Sequence, residues 1–476
     1  MISAQEFIAR QDRLLAQCLP NSVCVIPAAG LVTRSRDTEY LFRQNSDFWY
    51  LTGFEEADAW LILSNHPRYG ESYRAMVCLP KDKDAEIWQG RRLGAEAALS
   101  RFSLDEAFEL SELGDALLES LQGQDHLYFA LGENEQADAQ VNSALATLRN
   151  APKEALAPKT ITDVRPILHE MRVFKSACEV AMMKAAAEIT ASAHKRAMQY
   201  AKPGCFEYQL EAELHHEFAM AGARAPAYST IVGSGENACI LHYTENSSQT
   251  QDGDLVLIDA GAEFQGYAAD ITRTFPVNGK FTKPQREIYE LVLKAQESVL
   301  AMLGPGITLT EAMTHSAEVI TEGLVALGVL KGSVGENLDQ KAWRQFYMHG
   351  LGHFLGLDVH DVGNYKLNGQ DRLLKPGMVL TVEPGIYIAS DSDVPEQYKG
   401  IGVRIEDDVV VTATGVDILT ADVPKTVKDI EALMQSANKE NTLENTVEST
   451  VESTVESTVK STAESKKENT KEGSKA

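Results

Sequence analysis

LVLIDAGAEFQGYAADITRTF, residues 255–275, reads as two apolar strands folded back on one another. Strands are expected at 254–260 and 266–275, with Asp259 and Asp270 eleven residues apart and joined through GAEFQGY. Gly261 and Gly266 suit a turn, and a hairpin would set the two carboxylates side by side, one to bind a single metal and the other to bridge.

Three further runs carry the same signature: GHFLGLDVHD (352–361) with His353, MVLTVEPGIYI (378–388) with Glu383, and GVRIEDDVVV (402–411) with Glu406. Any one of these acids taken alone reads as a surface group or an ion pair. Ionised carboxylates are almost never buried unpaired, because desolvating a lone charge is costly. Four acids and a histidine inside apolar runs, with few basic residues nearby, call for cations. Oxygen-rich ligation with a single imidazole favours hard or borderline divalent ions, manganese ahead of zinc. Four carboxylates balance two divalent ions, which makes a two-metal hydrolase the leading reading. Pro384 holds Glu383 extended, and Arg404, two residues before Glu406, shares its strand face and could orient a ligand carboxylate or the substrate.

Histidines cluster in the same region. His349, His353 and His360 fall within MHGLGHFLGLDVHD. An H-x-x-x-H pair can mark a helical zinc site, but Gly350 and Gly352 make a helix there poor, and no H-E-x-x-H occurs. His242, in ENACILHYTEN, is a further candidate, although such a histidine taken alone is more often structural.

Outward from this core, the second half reads as helices over 173–200 (stopped by Lys202-Pro203-Gly204) and 206–221, with capping boxes at Thr282/Gln285 and Thr308/Glu311 opening two more. Strands return at 378–383 and 402–412, and a helix closes the unit near 424–435. Strands in hairpin-like neighbours predict α+β architecture with a largely antiparallel sheet. The first part opens with a helix capped by Ser3 and Glu6. Strand-like runs at 23–27, 59–64, 73–80 and 126–131 and helical patterns over 103–121 follow. This predicts a smaller α/β domain, with a linker at about 150–172. The division is therefore 1–172, 173–436, and a tail at 437–476 whose period-four ENTVESTVESTVESTVKSTAES buries too little to offset ordering entropy and reads as disordered.

At 476 residues with 44% hydrophobic content the chain has material for such domains. A formal net charge of −25 disfavours nucleic acid and anionic membranes as partners. The six scattered cysteines show no C-x-x-C pair, the N-terminus lacks an apolar h-region, and no run approaches a membrane span. A cytoplasmic setting is expected.

Taken together, IDAGAEF, DITRTF, HGLGH, TVEPG and RIED resemble the motifs of the pita-bread metallopeptidases. LFRQNSDFWYLTGFEE (41–56), STIVGSGENACILHYTEN (229–246) and LGLDVHDVG (355–363) are similar to the bacterial aminopeptidase P branch, and the resemblance covers about residues 1–435. It implies a pita-bread catalytic domain and two Mn²⁺ ions, with Zn or Co as substitutes, sharing Asp270 and Glu406. Asp259 would serve one ion, and His353 and Glu383 the other. It implies cleavage of the bond before a proline in second position by a hydroxide bridging the ions, its pKa lowered by them. His242 and His360 would contact the substrate and steady the tetrahedral intermediate, His349 would line the pocket, and Arg404 would support the site. A homotetramer, or at least a homodimer, is implied. The alternatives are a prolidase acting on Xaa-Pro dipeptides, a methionine aminopeptidase, which the large N-terminal domain and VHDVG fit poorly, and a metal-free binding protein, against which the intact ligand set argues.

Overall fold

The computed structural model describes residues 2–70, 72–151 and 156–436; the tail expected at 437–476 lies outside them. In the first part, the apolar runs form a six-stranded sheet in the order Glu106–Glu109, Tyr73–Cys78, Trp60–Ser64, Ser22–Pro27, His126–Tyr128, Thr160–Thr162. The central three strands are antiparallel and the outer ones join in parallel. Helices cover both faces, as the burial of successive residues such as Val23, Cys24 and Val25 requires.

Two expectations change here. Residues 106–109 are an edge strand against Ala75–Cys78, and only Leu113–Leu121 is a regular α-helix within the stretch expected to be helical. Pairing with a neighbour decides a four-residue segment whose own periodicity is ambiguous. The stretch expected as a linker is also structured. Thr160–Thr162 completes the sheet, and Arg165–Val173 is a helix burying Leu168, Arg172 and Val173. Pro166 sits in the helix's first turn, where a missing N–H costs nothing, so proline there starts an element. Ser3 does cap the helix Ala4–Leu15, while the Glu6 carboxylate turns to Arg10 and Arg13 instead of closing a capping box.

The second part is α+β with antiparallel sheets, as predicted. Helices Ala177–Tyr200, Glu207–Met220, Lys283–Met302 and Leu309–Ala326 form its flanks, and the Thr282/Gln285 and Thr308/Glu311 boxes are closed. Residues 427–436 are helical. Inside lie the sheets Ile231–Ser234, Leu255–Asp259, Thr272–Pro276 and Val379–Val382, Asp407–Val411, Val416–Ile418, with the pair Gly385–Ile388 and Ile401–Arg404 between them.

The 255–275 hairpin exists but is kinked. Its ladder runs from Leu255 opposite Pro276 to Asp259 opposite Thr272, breaks, and resumes at Glu263 opposite Ala268. The turn is Gln265-Gly266, both at positive φ (54° and 80°), as a two-residue hairpin loop requires. Gly261 is not part of the turn. It lies in the kink, where an added Cβ would sit 1.7 Å from the Ala269 carbonyl oxygen. Asp270 falls in the same kink instead of in the ladder.

Candidate metal centre and peptide cleft

A second ladder breaks at the matching level. Val382 pairs with Asp407 and Gly385 with Arg404, leaving Glu383-Pro384 opposite Ile405-Glu406 outside the regular pairing. The two kinks face each other: the backbone N–H of Glu406 donates to the Thr272 carbonyl at 3.0 Å. Asp270, Glu383 and Glu406 thus lie where the pairing breaks, Asp259 ends its strand beside them, and all four line one cavity of about 760 Å³. His353 arrives from a third segment laid along Val379–Val382. Glu383 N–H donates to the Leu351 carbonyl (2.8 Å), Thr381 N–H to the His353 carbonyl (2.9 Å), and His353 N–H to Thr381 Oγ1 (3.1 Å). Gly352 permits that approach, since a Cβ there would lie 2.0 Å from the Thr381 carbonyl oxygen. The segment is not helical, in keeping with its two glycines.

The side chains converge closely. Ligand atoms of Asp270, His353 and Glu406 all lie within 4.8 Å of one another. His353 Nε2 stands 3.4 Å from Asp270 Oδ2 and 3.5 Å from Glu383 Oε1. Its Nδ1 lies 3.0 Å from the Phe354 carbonyl oxygen. An N–H donated there leaves Nε2 as the free lone pair, the arrangement that orients a ligating histidine. Arg404 organises the other side. Its Nη2 donates to Asp259 Oδ2 (2.6 Å), its Nη1 to the Tyr387 hydroxyl (2.8 Å), and its Nε to Thr272 Oγ1 (3.1 Å), whose own proton goes to Glu406 Oε2 (2.6 Å). The Tyr228 hydroxyl lies 2.6 Å from Asp259 Oδ1 and also bonds the Asp270 carboxylate. A phenol has one proton to give, so it cannot satisfy both acids.

Charge is correspondingly out of balance. Burial opposes ionisation of Asp259, yet Arg404 and the Tyr228 hydroxyl hold its pKa below the usual range. Burial and the Asp259 charge push Asp270 up, burial raises Glu383 to about 7, and burial with the Asp270 charge puts Glu406 well above its normal value. For His353 burial is outweighed by Asp270, so its imidazole is raised to about 9. Without cations the site can relieve its repulsion only by taking up protons. Hard oxygen donors and one oriented imidazole fit divalent ions, as the sequence implied.

The structure brings together every expected site residue: Asp259, Asp270, His353, Glu383, Glu406, His242, His349, His360 and Arg404 all line the one cavity. His349 Nδ1 lies 2.8 Å from the Gly350 carbonyl oxygen and Nε2 lies 2.9 Å from the Tyr387 hydroxyl. Burial and Arg404 lower its pKa to about 3, so it is neutral. The His360 ring packs edge-on against His353 with centroids 4.3 Å apart, and burial and that neighbour lower its pKa. His242 sits in a segment tied down by buried Glu207. That carboxylate accepts from Ser234 N and Oγ (2.7 Å each), Asn237 Nδ2 (3.0 Å), the Tyr243 hydroxyl (2.9 Å) and Ser248 N (2.8 Å). Ile231, Leu241, Val359 and Tyr365 give the cavity an apolar wall.

Sequence reasoning missed Tyr228, Thr272, Thr381 and Asp408. The two threonines stand two residues from Asp270 and Glu383, a spacing that in an extended chain could have revealed them. Asp408 accepts from the Asp270 N–H at 3.0 Å while its Oδ1 has no partner among the described residues, and it follows Glu406 at the same spacing. Tyr228 carries no local signal.

The family model described as "Metallopeptidase family M24" matches residues 181–413, and "Aminopeptidase P, N-terminal domain" matches residues 7–128. The chain is 55% identical over 442 residues to the Xaa-Pro aminopeptidase of Escherichia coli (strain K12), covering 92% of this chain and 99% of that protein. Identity to the Xaa-Pro aminopeptidase of Haemophilus influenzae is 50% over 433 residues, 90% of this chain and 97% of that protein. Among solved structures, Zn-substituted E. coli aminopeptidase P in complex with product superposes with a TM-score of 0.90 at 54% identity, covering 92% of this chain and 99% of that one.

Proposed function

This chain belongs to the M24 metallopeptidases, and from that premise we propose that it is an aminopeptidase releasing the N-terminal residue of peptides with proline in second position. The observation that carries the reading is the convergence of four carboxylates and one oriented imidazole at the floor of a single cleft with an apolar wall. The relatives' names point to the same reaction in preference to a prolidase.

Asp259, Asp270, His353, Glu383 and Glu406 would hold two divalent ions, manganese by the hardness of the donors. When bound, such ions supply an activated water at neutral pH and polarise the scissile carbonyl. The chain's own residues do the rest. Arg404 and Thr272 fix Asp259 and Glu406, so that the carboxylates need not reorganise during the reaction. His349, neutral and bonded to Tyr387, lines the pocket as a fixed dipole. His242 and His360 face the substrate and stabilise the oxygen that becomes negative when the carbonyl is attacked. Proline's tertiary amide offers no N–H, and the wall of Ile231, Leu241, Val359 and Tyr365 can receive its ring without leaving a polar partner unsatisfied.

All six cysteines are free, which suits a cytoplasmic, reducing setting, and no helix among the described residues is long and apolar enough to cross a membrane. Assembly into a homodimer or homotetramer is part of the proposal and is read by light scattering.

Rates on Xaa-Pro-Xbb, Xaa-Ala-Xbb, N-acetylated and dipeptide substrates test the reading, with added manganese. Xaa-Pro-Xbb should be cleaved well and the alanine and acetylated controls hardly at all. Faster cleavage of Xaa-Pro dipeptides would identify a prolidase, and indifference to proline would defeat both.

A further inference from the structure

The stretch 41–56 has no part in the chemistry above, whereas 355–363 brings Val359 and His360 to the cleft, and the structure sets the two stretches against each other. Between them lies Arg172, 3% exposed, on the helix Arg165–Val173 that leaves the N-terminal sheet. Its Nη1 donates to Asp47 Oδ1 at 2.8 Å, and its Nη2 to Asp361 Oδ1 at 2.6 Å and Asp358 Oδ2 at 2.7 Å. Lys175 Nζ holds the other oxygen of Asp361 at 2.8 Å, and both those side chains are 1% exposed. From the N-terminal part, Ser46 Oγ donates to Asp358 Oδ1 at 2.7 Å and Arg43 reaches both Asp358 and the Leu357 carbonyl. Burial would raise the carboxyls of Asp47 and Asp361. His169 and Arg172 overcome it for Asp47, and Lys175 and Arg172 for Asp361, so both stay below their ordinary values. The loop they grip is tight: Asp361 N–H donates to the Phe354 carbonyl, and a Cβ at Gly356 would strike Asp361 Oδ2 at 2.2 Å. His360 precedes Asp361 in the chain, so the anchor acts one residue from a side chain lining the cleft.

We propose that Arg172 is a positioning residue for His360, through which residues 43–47 of the N-terminal part fix the 355–363 loop over the metal centre. The proposal rests on the reading of His360 as a substrate-facing group. Buried ion clusters of this kind are weak evidence for stability but can select one geometry among several. A misplacement of about 1 Å in a reacting group costs up to about 10²-fold in rate.

The test is a pair of double-mutant cycles on the full chain with added manganese, following Xaa-Pro-Xbb cleavage. Arg172→Met should lower kcat by about 10–100-fold with metal stoichiometry unchanged. In the His360→Ala background it should cost less than about threefold more, while in the His242→Ala background its full effect should persist, since only coupled groups depart from additivity. Equal losses in both backgrounds, or loss of metal, would overturn the proposal. No loss with His360→Ala alone would instead remove the reading of His360 on which it stands. A readout independent of activity is hydrogen–deuterium exchange in the metal-free chain. Residues 355–363 should exchange faster in Arg172→Met, and unchanged protection there counts against the idea. Should Arg172→Met fail to fold, Asp47→Asn and Ser46→Ala remove only the N-terminal side of the grip, and the same selective coupling to His360, smaller in size, is expected from them.

Discussion

His194 gives a quantitative handle on the scaffold beneath the metal centre. It lies on the helix Ala177–Tyr200, fully buried, with Nε2 3.1 Å from the Ala260 carbonyl oxygen at the hairpin kink and Nδ1 without a hydrogen-bond partner among the described residues. Burial lowers its pKa to about 4, against about 6.5 for an exposed imidazole. The folded chain therefore keeps it neutral where the unfolded chain takes up a proton. The stability it contributes is fully present above pH ~6.5 and is lost as the pH falls towards ~4. Integrating the two proton-binding curves between pH 7.5 and 5.0 gives a loss of about 2 kcal/mol, roughly thirtyfold in the folding equilibrium. The assay is urea unfolding of the metal-free chain at both pH values, beside His194→Gln, whose amide can still donate to Ala260 but does not titrate. The wild type should lose about 2 kcal/mol more than the variant over that interval at an unchanged m-value. Parallel pH profiles for the two proteins would refute the argument, because the buried neutral imidazole would then not be the titrating group.

Chelation should abolish activity and manganese restore it, and Asp270→Ala or Glu406→Ala should bind less than the two-ion complement by elemental analysis; full turnover in the metal-free chain would sink the two-metal reading. His242→Ala or His360→Ala should reduce turnover by about 10²–10⁴-fold with metal content intact. Gly261→Ala should destabilise the chain by about 3 kcal/mol or more in chemical denaturation, because its Cβ would overlap the Ala269 carbonyl oxygen and backbone on both sides must move.

Local rules made much of this fold readable. The boxes at Thr282/Gln285 and Thr308/Glu311 close as written, because a capping box is satisfied within four residues. The apolar runs around Asp259, Glu383 and Glu406 became strands, since burial on both faces needs an unbroken apolar run. The failures have the opposite character. Glu106–Glu109 is a strand only because Ala75–Cys78 offers it an edge, and Arg165–Val173, most of it within the expected linker, is a helix whose Pro166 sits in the first turn, where proline starts an element.

The metal centre was legible for a related reason: an acid in an apolar strand is an anomaly that announces itself at one position. What the sequence could not show is that regular pairing stops at the acids, with Asp259 the last paired residue and Asp270, Glu383 and Glu406 just outside the ladders. A regular hairpin would send alternate residues to opposite faces, and Asp259 and Asp270 would be fixed by register alone. Instead, each ladder breaks at the level of its carboxylates, and the backbone groups released there are taken up across the seam, as when Glu406 N–H meets the Thr272 carbonyl. Only close approach allows this, and glycine allows the approach, at Gly261 and again at Gly352. The Arg172 cluster is invisible in sequence for the complementary reason. Its members, Asp47, Arg172, Lys175, Asp358 and Asp361, each look like an ordinary surface charge, and only the packing of the N-terminal part onto the 355–363 loop buries them. An isolated charge in an apolar run advertises itself, whereas charges that neutralise one another across three hundred residues do not. The chemistry could therefore be read before the scaffold that aims it.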